Sequence, residues 1–423
     1  MKSSCCSKRI FRTGVLIAAS GFWAVSGSGC AHRSGSAEKI APAPEIPPTL
    51  LMDGRRLVAS KQRILAGAAA LQPAYSNLLK DAEKAMAEGP FSVMNKHTVP
   101  PSGDKHDYTS LARYWWPDSS KPDGLPYIQR DGITNPDSQG PNSDYTQLSK
   151  LASSMEALGM AYYLTGEECY AERAALLLRT WFLAPETHMN PNLNFPQAIL
   201  GRDAGRKTGV LDGRKFNVII DGIVLISDSP ALSAEEKTAL HAWFSEYLNW
   251  LKTNKLAQDE SASKNNHGTF FDVQIVHVAL FAGDIAYAKQ VAEAAIQKRI
   301  LAQIKADGSQ PEELARPISL HYSFYNLEAM FYLATLAGHA GVDLWHAGDS
   351  RIRTALDFVA PYSDPARPWP YKDIDEASRM RLFPLLLQAA DVYQDESYRR
   401  MVEKLPLAER KIQRENLVVP LMN

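Results

Sequence analysis

Cysteine is almost absent from this 423-residue chain: Cys5, Cys6 and Cys30 lie within the first thirty residues, and only Cys169 lies beyond them. One thiol in the body excludes an internal disulfide framework there. An excess of charge is missing too, with 46 basic residues against 47 acidic and a formal net charge of −1. That balance gives no support to nucleic acid or a membrane surface as the main partner, although it leaves room for a local basic cleft. Runs of alternating β-branched residues are scarce beyond residue 50, which argues against a sheet protein. Neither H-E-x-x-H, C-x-x-C nor G-x-S-x-G occurs, so zincin, structural-zinc and serine-hydrolase readings have no local support. The stretch GRDAGRKT at 201–208 fails as a phosphate loop, because Arg206 stands where the second glycine is required and no buried-strand pattern precedes it.

What is present begins with an export signal. Lys2, Lys8, Arg9 and Arg12 form a positive region, Gly14 to Val25 a short apolar stretch, and small residues lead to Cys30. The stretch is too short and wrongly flanked for an ordinary transmembrane span. Residues 1–30 are therefore expected to be a signal peptide. Cys30 is a candidate lipid-anchor site, against which stands Gly27 where a lipobox usually has Leu or Val. The expected location is the periplasm, free or as an outer-membrane lipoprotein. Residues 31–49, rich in Ala, Ser and Pro, read as a flexible linker, and 50–423 as one domain.

In that body, with 45% hydrophobic and 22% charged residues over the whole chain, apolar residues recur at helical spacing. Leu148, Leu151, Met155, Leu158 and Tyr162 mark one helix, the turn Thr165-Gly166 leads to a second through Leu178 and Trp181, and Ser233 with Glu236 forms a capping box for a third. Further helices are expected near 60–88, 215–227, 268–282, 285–306, 321–338, 350–360, 376–394 and 396–413, and one beginning near Pro196. Paired helices repeated this often predict an all-α fold, an incomplete α/α toroid built of helical hairpins. No strict repeat or extended heptad appears, so neither a regular solenoid nor an oligomeric state can be read. Residues 91–143 break the pattern with Pro, Gly, Asp and aromatics; a segment this long and aromatic is expected to be an ordered loop or lid.

Two segments carry the chemistry. Lys264-Asn265-Asn266-His267-Gly268 precedes a helix, where an Asn is a natural cap and the His could simply be a surface neighbour. Asp307 to Asn326 places Arg316, His321, Tyr322 and Tyr325 about the start of another helix, where an ion-paired Arg and core tyrosines would suffice. Together they contain what β-elimination from a uronate requires. The C5 proton is weakly acidic until the adjacent carboxylate is neutralised, a task suited to Asn266 and Arg316. A base must take the proton and an acid must protonate the departing O4, roles open to His267 and Tyr322. Positive dipole density at a helix N-terminus favours an anionic substrate and disfavours protonated His267, leaving it free to act as base. The Arg316 cation is expected to favour the Tyr322 phenolate, making it acid and potentially base.

These residues resemble the alginate lyase superfamily, which includes polysaccharide lyase families five and thirty-eight. The resemblance lies in NNH at 265–267, ELAR at 313–316 with HY at 321–322, KHDYTSLARYWWPD and GLPYIQRDGITNP in the aromatic loop, and MNPNLNFPQAILGRDAGRKTGVLD at 189–212. It spans roughly residues 85–340. It implies the incomplete toroid, a cleft for an anionic polysaccharide, and elimination without a metal or other cofactor. Asn266 and Arg316 would neutralise the carboxylate, His267 would be base or neutraliser, and Tyr322 acid or acid and base. The spacing of six from Arg316 to Tyr322 looks closer to family thirty-eight, whose members act on alginate or glucuronan; GTFF after NNH departs from the family-five pattern.

Around this centre, Lys105, Arg113, Arg202 and Arg206 could pair with neighbouring carboxylates or serve as structural ion pairs. Tyr108, Trp115 and Trp116 could stack on sugar faces, although core packing of at least one tryptophan is the alternative. Asn192, Asn194 and Gln197 could donate to substrate or cap the helix near Pro196, and His321 and Tyr325 flank the proposed acid. Two rivals remain: a toroidal glycoside hydrolase drawing on Asp104, Asp107, Asp118 or Asp272, and a glycan-binding protein without turnover.

Overall fold

The computed structural model describes residues 45–374 and 377–418. The described residues from Ile46 onward form one compact unit. The expected signal peptide and most of the linker lie outside the described residues. The linker's last residue, Thr49, is 4% exposed, and at the start of the expected domain the backbone N–H groups of Leu50, Leu51 and Met52 donate to the buried carboxylate of Asp221. A charge that needs donors in a dry interior orders a segment whose own sequence shows no periodicity.

The architecture is all-α with minor strand. Helices α1 Gly54–Leu65, α2 Gln72–Ala87, α3 Asp144–Thr165, α4 Glu168–Leu178, α5 Lys215–Leu225, α6 Ala234–Thr253 and α7 Lys255–Ser261 form the first part. They are followed by α8 Asn266–Phe281, α9 Ile285–Ala295, α10 Pro311–Leu314, α11 Ser319–His339, α12 Ala347–Val359 and α13 Leu382–Val392. Helices α3, α5, α8, α11 and α13 follow one another in space as an inner arc, with α2, α4, α6, α9 and α12 packed outside it. This is an incomplete α/α toroid. Helix α8 shows why the arc is inner: residues from Gly268 to Leu280 are all buried, so it is enclosed on every side. Among the described residues, no helix is long and apolar enough to cross a membrane.

The helix expected over 60–88 is two helices, parted at Gly67, whose φ of +80° is a left-handed conformation suited to glycine. The segment expected as helix over 396–413 is likewise broken at Pro406, between helical turns Ser397–Val402 and Leu407–Lys411. Helix α13 starts only at Leu382. No helix begins near Pro196. That stretch is strand β4, Phe195–Ala198, lying parallel to β1, Thr109–Leu111, from the aromatic loop. Strands β2 Trp115–Trp116 and β3 Ile128–Gln129 pair antiparallel within the same loop. The loop is pinned by Lys96, 3% exposed, whose ammonium donates to Asp144 at 2.8 Å and to the carbonyls of Val93 and Lys105.

Candidate active site

The start of α8 is shaped by a buried ion pair. Arg299, 1% exposed, donates to both carboxylate oxygens of Asp272 and to the carbonyls of Ser261 and Ser263, fixing the chain that leads into the helix. Gly268 is needed beneath it, because a Cβ there would stand 2.1 Å from the Ser263 carbonyl oxygen. The cap is Asn265, whose Oδ1 accepts the His267 N–H. That leaves Asn266 and His267 in the first turn, at the positive end of the helix dipole.

Each of these two is gripped by a buried carboxylate. Glu313 accepts the Asn266 N–H at 2.6 Å and Nδ2 at 2.7 Å. Burial raises the Glu313 carboxyl to about 7, against the pull of the two Asn266 donors. Glu260 accepts from Nδ1 of His267 at 2.5 Å, so that ring nitrogen carries the proton and Nε2 is left for the cleft. A buried amide network sets α8 against α11: Asn326 donates to Gln303 and Gln310, Thr269 to Gln303, and Gln310 to the Ser323 carbonyl.

From the α11 side, Nη2 of Arg316 donates to the Tyr322 hydroxyl at 3.0 Å, and its guanidinium lies 3.8 Å from the centre of that ring. Asp131 approaches the same nitrogen at 3.5 Å, and the Tyr114 hydroxyl stands 3.4 Å from that of Tyr322. Burial and Tyr114 push the Tyr322 phenol up, and Arg316 only partly offsets them. The expectation of a favoured phenolate is thereby corrected: Tyr322 rests as a phenol, because desolvation outweighs the cation.

One cavity brings together Arg113, Gln197, Asn266, His267, His321, Tyr322 and Tyr325 of the sequence candidates. Arg316 reaches it through Tyr322. Tyr325 forms part of its floor, packed on Phe270 between Arg214 and Arg381, and burial pushes its phenol up to about 12. His321 is stacked on Tyr325. The Gln197 amide is held between Asp212 and Arg206.

Other candidates sit elsewhere. Tyr108 is fully buried with its hydroxyl donating to Asp212, so it is no sugar platform. Lys105 is turned to the Met94 carbonyl and Asn192 to Asp107. Arg202 and Arg206 stack on Trp115, while Trp116 lies under Arg130 and donates to the Ile133 carbonyl. None of these seven lines the cavity.

Sequence reasoning passed over Tyr114, Tyr145, Asp212, Arg214, Lys215 and Arg381, which do line it. Arg113 donates to the Tyr145 hydroxyl at 2.6 Å, and Lys215 lies 3.7 Å from the centre of the same ring with no hydrogen-bond partner. Burial lowers the Lys215 ammonium to about 7. Four basic side chains of the lining, three of them arginines, face one carboxylate, Asp212, already taken by Tyr108, Ser110 and Gln197. The cleft thus suits an anion. Asp104, Asp107, Asp118 and Asp272 are all committed to local bonds away from it, which removes the carboxylate pair a glycoside hydrolase needs. Among the described residues no group of three or more His, Cys, Asp or Glu is placed to hold a metal ion.

The alginate lyase family model matches residues 92–369. An alginate lyase from Bacteroides ovatus of known crystal structure is 36% identical, with a TM-score of 0.83 over 89% of this chain and 100% of that one. Alginate lyase A1-III from Sphingomonas species A1 is 16% identical, with a TM-score of 0.54 over 89% of this chain and 98% of that one, a likeness of fold alone. A variant of A1-III complexed with tetrasaccharide matches with a TM-score of 0.55 at 16% identity, covering 89% of this chain and 98% of that one. No curated protein sequence matches.

Proposed function

The chain belongs to the alginate lyase family and is a polysaccharide lyase, and from that premise we propose that it cleaves a uronate polysaccharide, alginate or glucuronan, by metal-independent β-elimination. The observation that carries this reading is the meeting of Asn266, His267 and the Arg316–Tyr322 pair in one cationic cleft. Alginate is favoured by the Bacteroides ovatus relative, itself an alginate lyase.

The substrate carboxylate docks at the N-terminus of α8, against Asn266 and Arg316, which neutralise the charge that would otherwise oppose loss of the C5 proton. Nε2 of His267 takes that proton, its ring held by Glu260 through Nδ1. The electron pair forms the C4–C5 double bond as the C4–O4 bond breaks. Tyr322, kept protonated by burial, gives its proton to O4. Arg316 then stabilises the phenolate left behind, at 3.0 Å. Arg113, Gln197 and His321 bind neighbouring parts of the glycan.

The test is ultraviolet absorbance of the unsaturated uronate end on polymannuronate, polyguluronate and glucuronan. Absorbance should rise on at least one polymer, and both His267→Ala and Tyr322→Phe should lower the rate by ~10²–10⁴-fold. New reducing ends without absorbance would move the assignment to a hydrolase; binding without cleavage would make the protein a glycan receptor. Export to the periplasm, with Cys30 as lipid attachment point, belongs to the same proposal and rests on the leader's charge and apolar pattern. Labelled palmitate incorporated by the full chain and lost in Cys30→Ser would support the anchor, and its absence would refute it.

A further inference from the structure

Glu313 stands outside the reacting set, yet it is 1% exposed and both of its carboxyl oxygens go to one residue. Oε1 accepts the Asn266 backbone N–H at 2.6 Å and Oε2 accepts Nδ2 at 2.7 Å. The first bond satisfies a helix donor that has no partner within α8. The second decides which way round the amide sits. With both oxygens accepting, the ionised carboxyl selects the orientation with Nδ2 toward Glu313 and Oδ1 away from it. That Oδ1 is buried and has no partner, a costly state unless a ligand supplies a donor.

We propose that Glu313 is a positioning residue of the lyase centre, whose two-pronged grip on Asn266 presets the amide to meet the substrate carboxylate with its free Nδ2 hydrogen and a neighbouring sugar hydroxyl with its carbonyl oxygen. The proposal rests on the reading that Asn266 engages that carboxyl. The second Nδ2 hydrogen is a donor that a carboxylate can accept, whereas the unpartnered Oδ1 can accept from a hydroxyl but not from a carboxylate. The donated hydrogen bond withdraws carboxylate charge and so makes C5 more acidic. Glu313 thus acts on the reaction only through the way Asn266 faces.

Glu313→Gln keeps the side-chain volume and an acceptor for the Asn266 backbone N–H. It also sets an amide N–H₂ against Nδ2, and donor facing donor turns the Asn266 amide over. The experiment is a double-mutant cycle of E313Q and N266A in the full chain. Turnover and KM are read by absorbance on the polymer that the wild type cleaves best, and the thermal midpoint is followed alongside.

E313Q should fold, lower kcat by ~10²-fold, as a misset reacting group does, and leave KM within ~3-fold; in the N266A background it should cost less than ~3-fold, because the two act as one unit. Wild-type turnover in E313Q would overturn the proposal. So would a full loss repeated in the N266A background, which would show Glu313 acting elsewhere. Full activity in N266A would overturn both this proposal and the role given to Asn266, an outcome distinct from the other two. Glu313→Asp, which keeps the acceptors but shortens their reach, is carried through the same cycle with the same criteria and decides the matter where E313Q does not fold.

Discussion

Neutralising Glu260 should separate the two roles open to His267. Glu260 is 1% exposed and bonded to Nδ1. If Nε2 takes the C5 proton, the ring becomes cationic in the transition state with a buried carboxylate at its other nitrogen. Two unit charges ~4 Å apart attract by about 4 kcal/mol at an effective dielectric of ~20. His267 is 20% exposed, so solvent screens part of that, and Glu260→Gln should lower kcat by ~10²–10³-fold. The amide oxygen still accepts from Nδ1–H, so the ring keeps its place and KM should hardly change. The assay is initial-rate absorbance over a range of polymer concentrations. A fall in kcat below ~3-fold would mean that no charge develops on the ring, and His267 would then be a neutraliser rather than the base.

Two further expectations concern stability. Asp272→Ala leaves Arg299 buried without its carboxylate, and losing one member of a buried pair costs about 3–5 kcal/mol; urea unfolding measures it, and a loss under ~1 kcal/mol would show that the Ser261 and Ser263 carbonyls suffice. Lys215, lowered by burial from 10.5 to about 7, gives a pH signature. Below pH 7 both folded and unfolded chains hold this proton. Between 7 and 10.5 the unfolded chain binds more, so stability attributable to this group rises with pH across that window. Lys215→Met should therefore stabilise the protein more at pH 6 than at pH 9, by a few kcal/mol. Equal effects at both values in urea unfolding would refute the burial argument.

The helices of the inner arc were legible because their apolar positions recur over many turns, as in α3 from Leu148 to Tyr162. Breaks were harder to see. Gly67 and Pro406 interrupt stretches that are otherwise periodic, and a single residue weighs little in a window of fifteen. Pro196 was misread because Pro serves equally at a helix start and a strand edge. The choice was made by β1, some 86 residues away, whose Thr109 donates to the Phe195 carbonyl. Pairing at that separation leaves no local signal.

The reacting residues could be read from sequence because their chemistry is concentrated in two short motifs, NNH and ELAR-HY. Their supports could not. Glu260 precedes His267 by seven residues and meets it only because α7 ends in a turn pinned by Arg299. Glu313 opens the ELAR motif, and its spacing from Arg316 says nothing of its burial. Arg202, Arg206 and Lys105 stayed open between two roles, since a cation near a motif looks the same whether it faces a substrate, a tryptophan or a carbonyl. Lys215 carries the strongest version of this lesson. It follows Arg214 without any motif, yet it is the cavity's one buried ammonium with no hydrogen-bond partner among the described residues. Formal charge in a sequence reports neither solvation nor direction. Those two properties decide which of the chain's 46 basic residues can hold a uronate and which already hold the protein together.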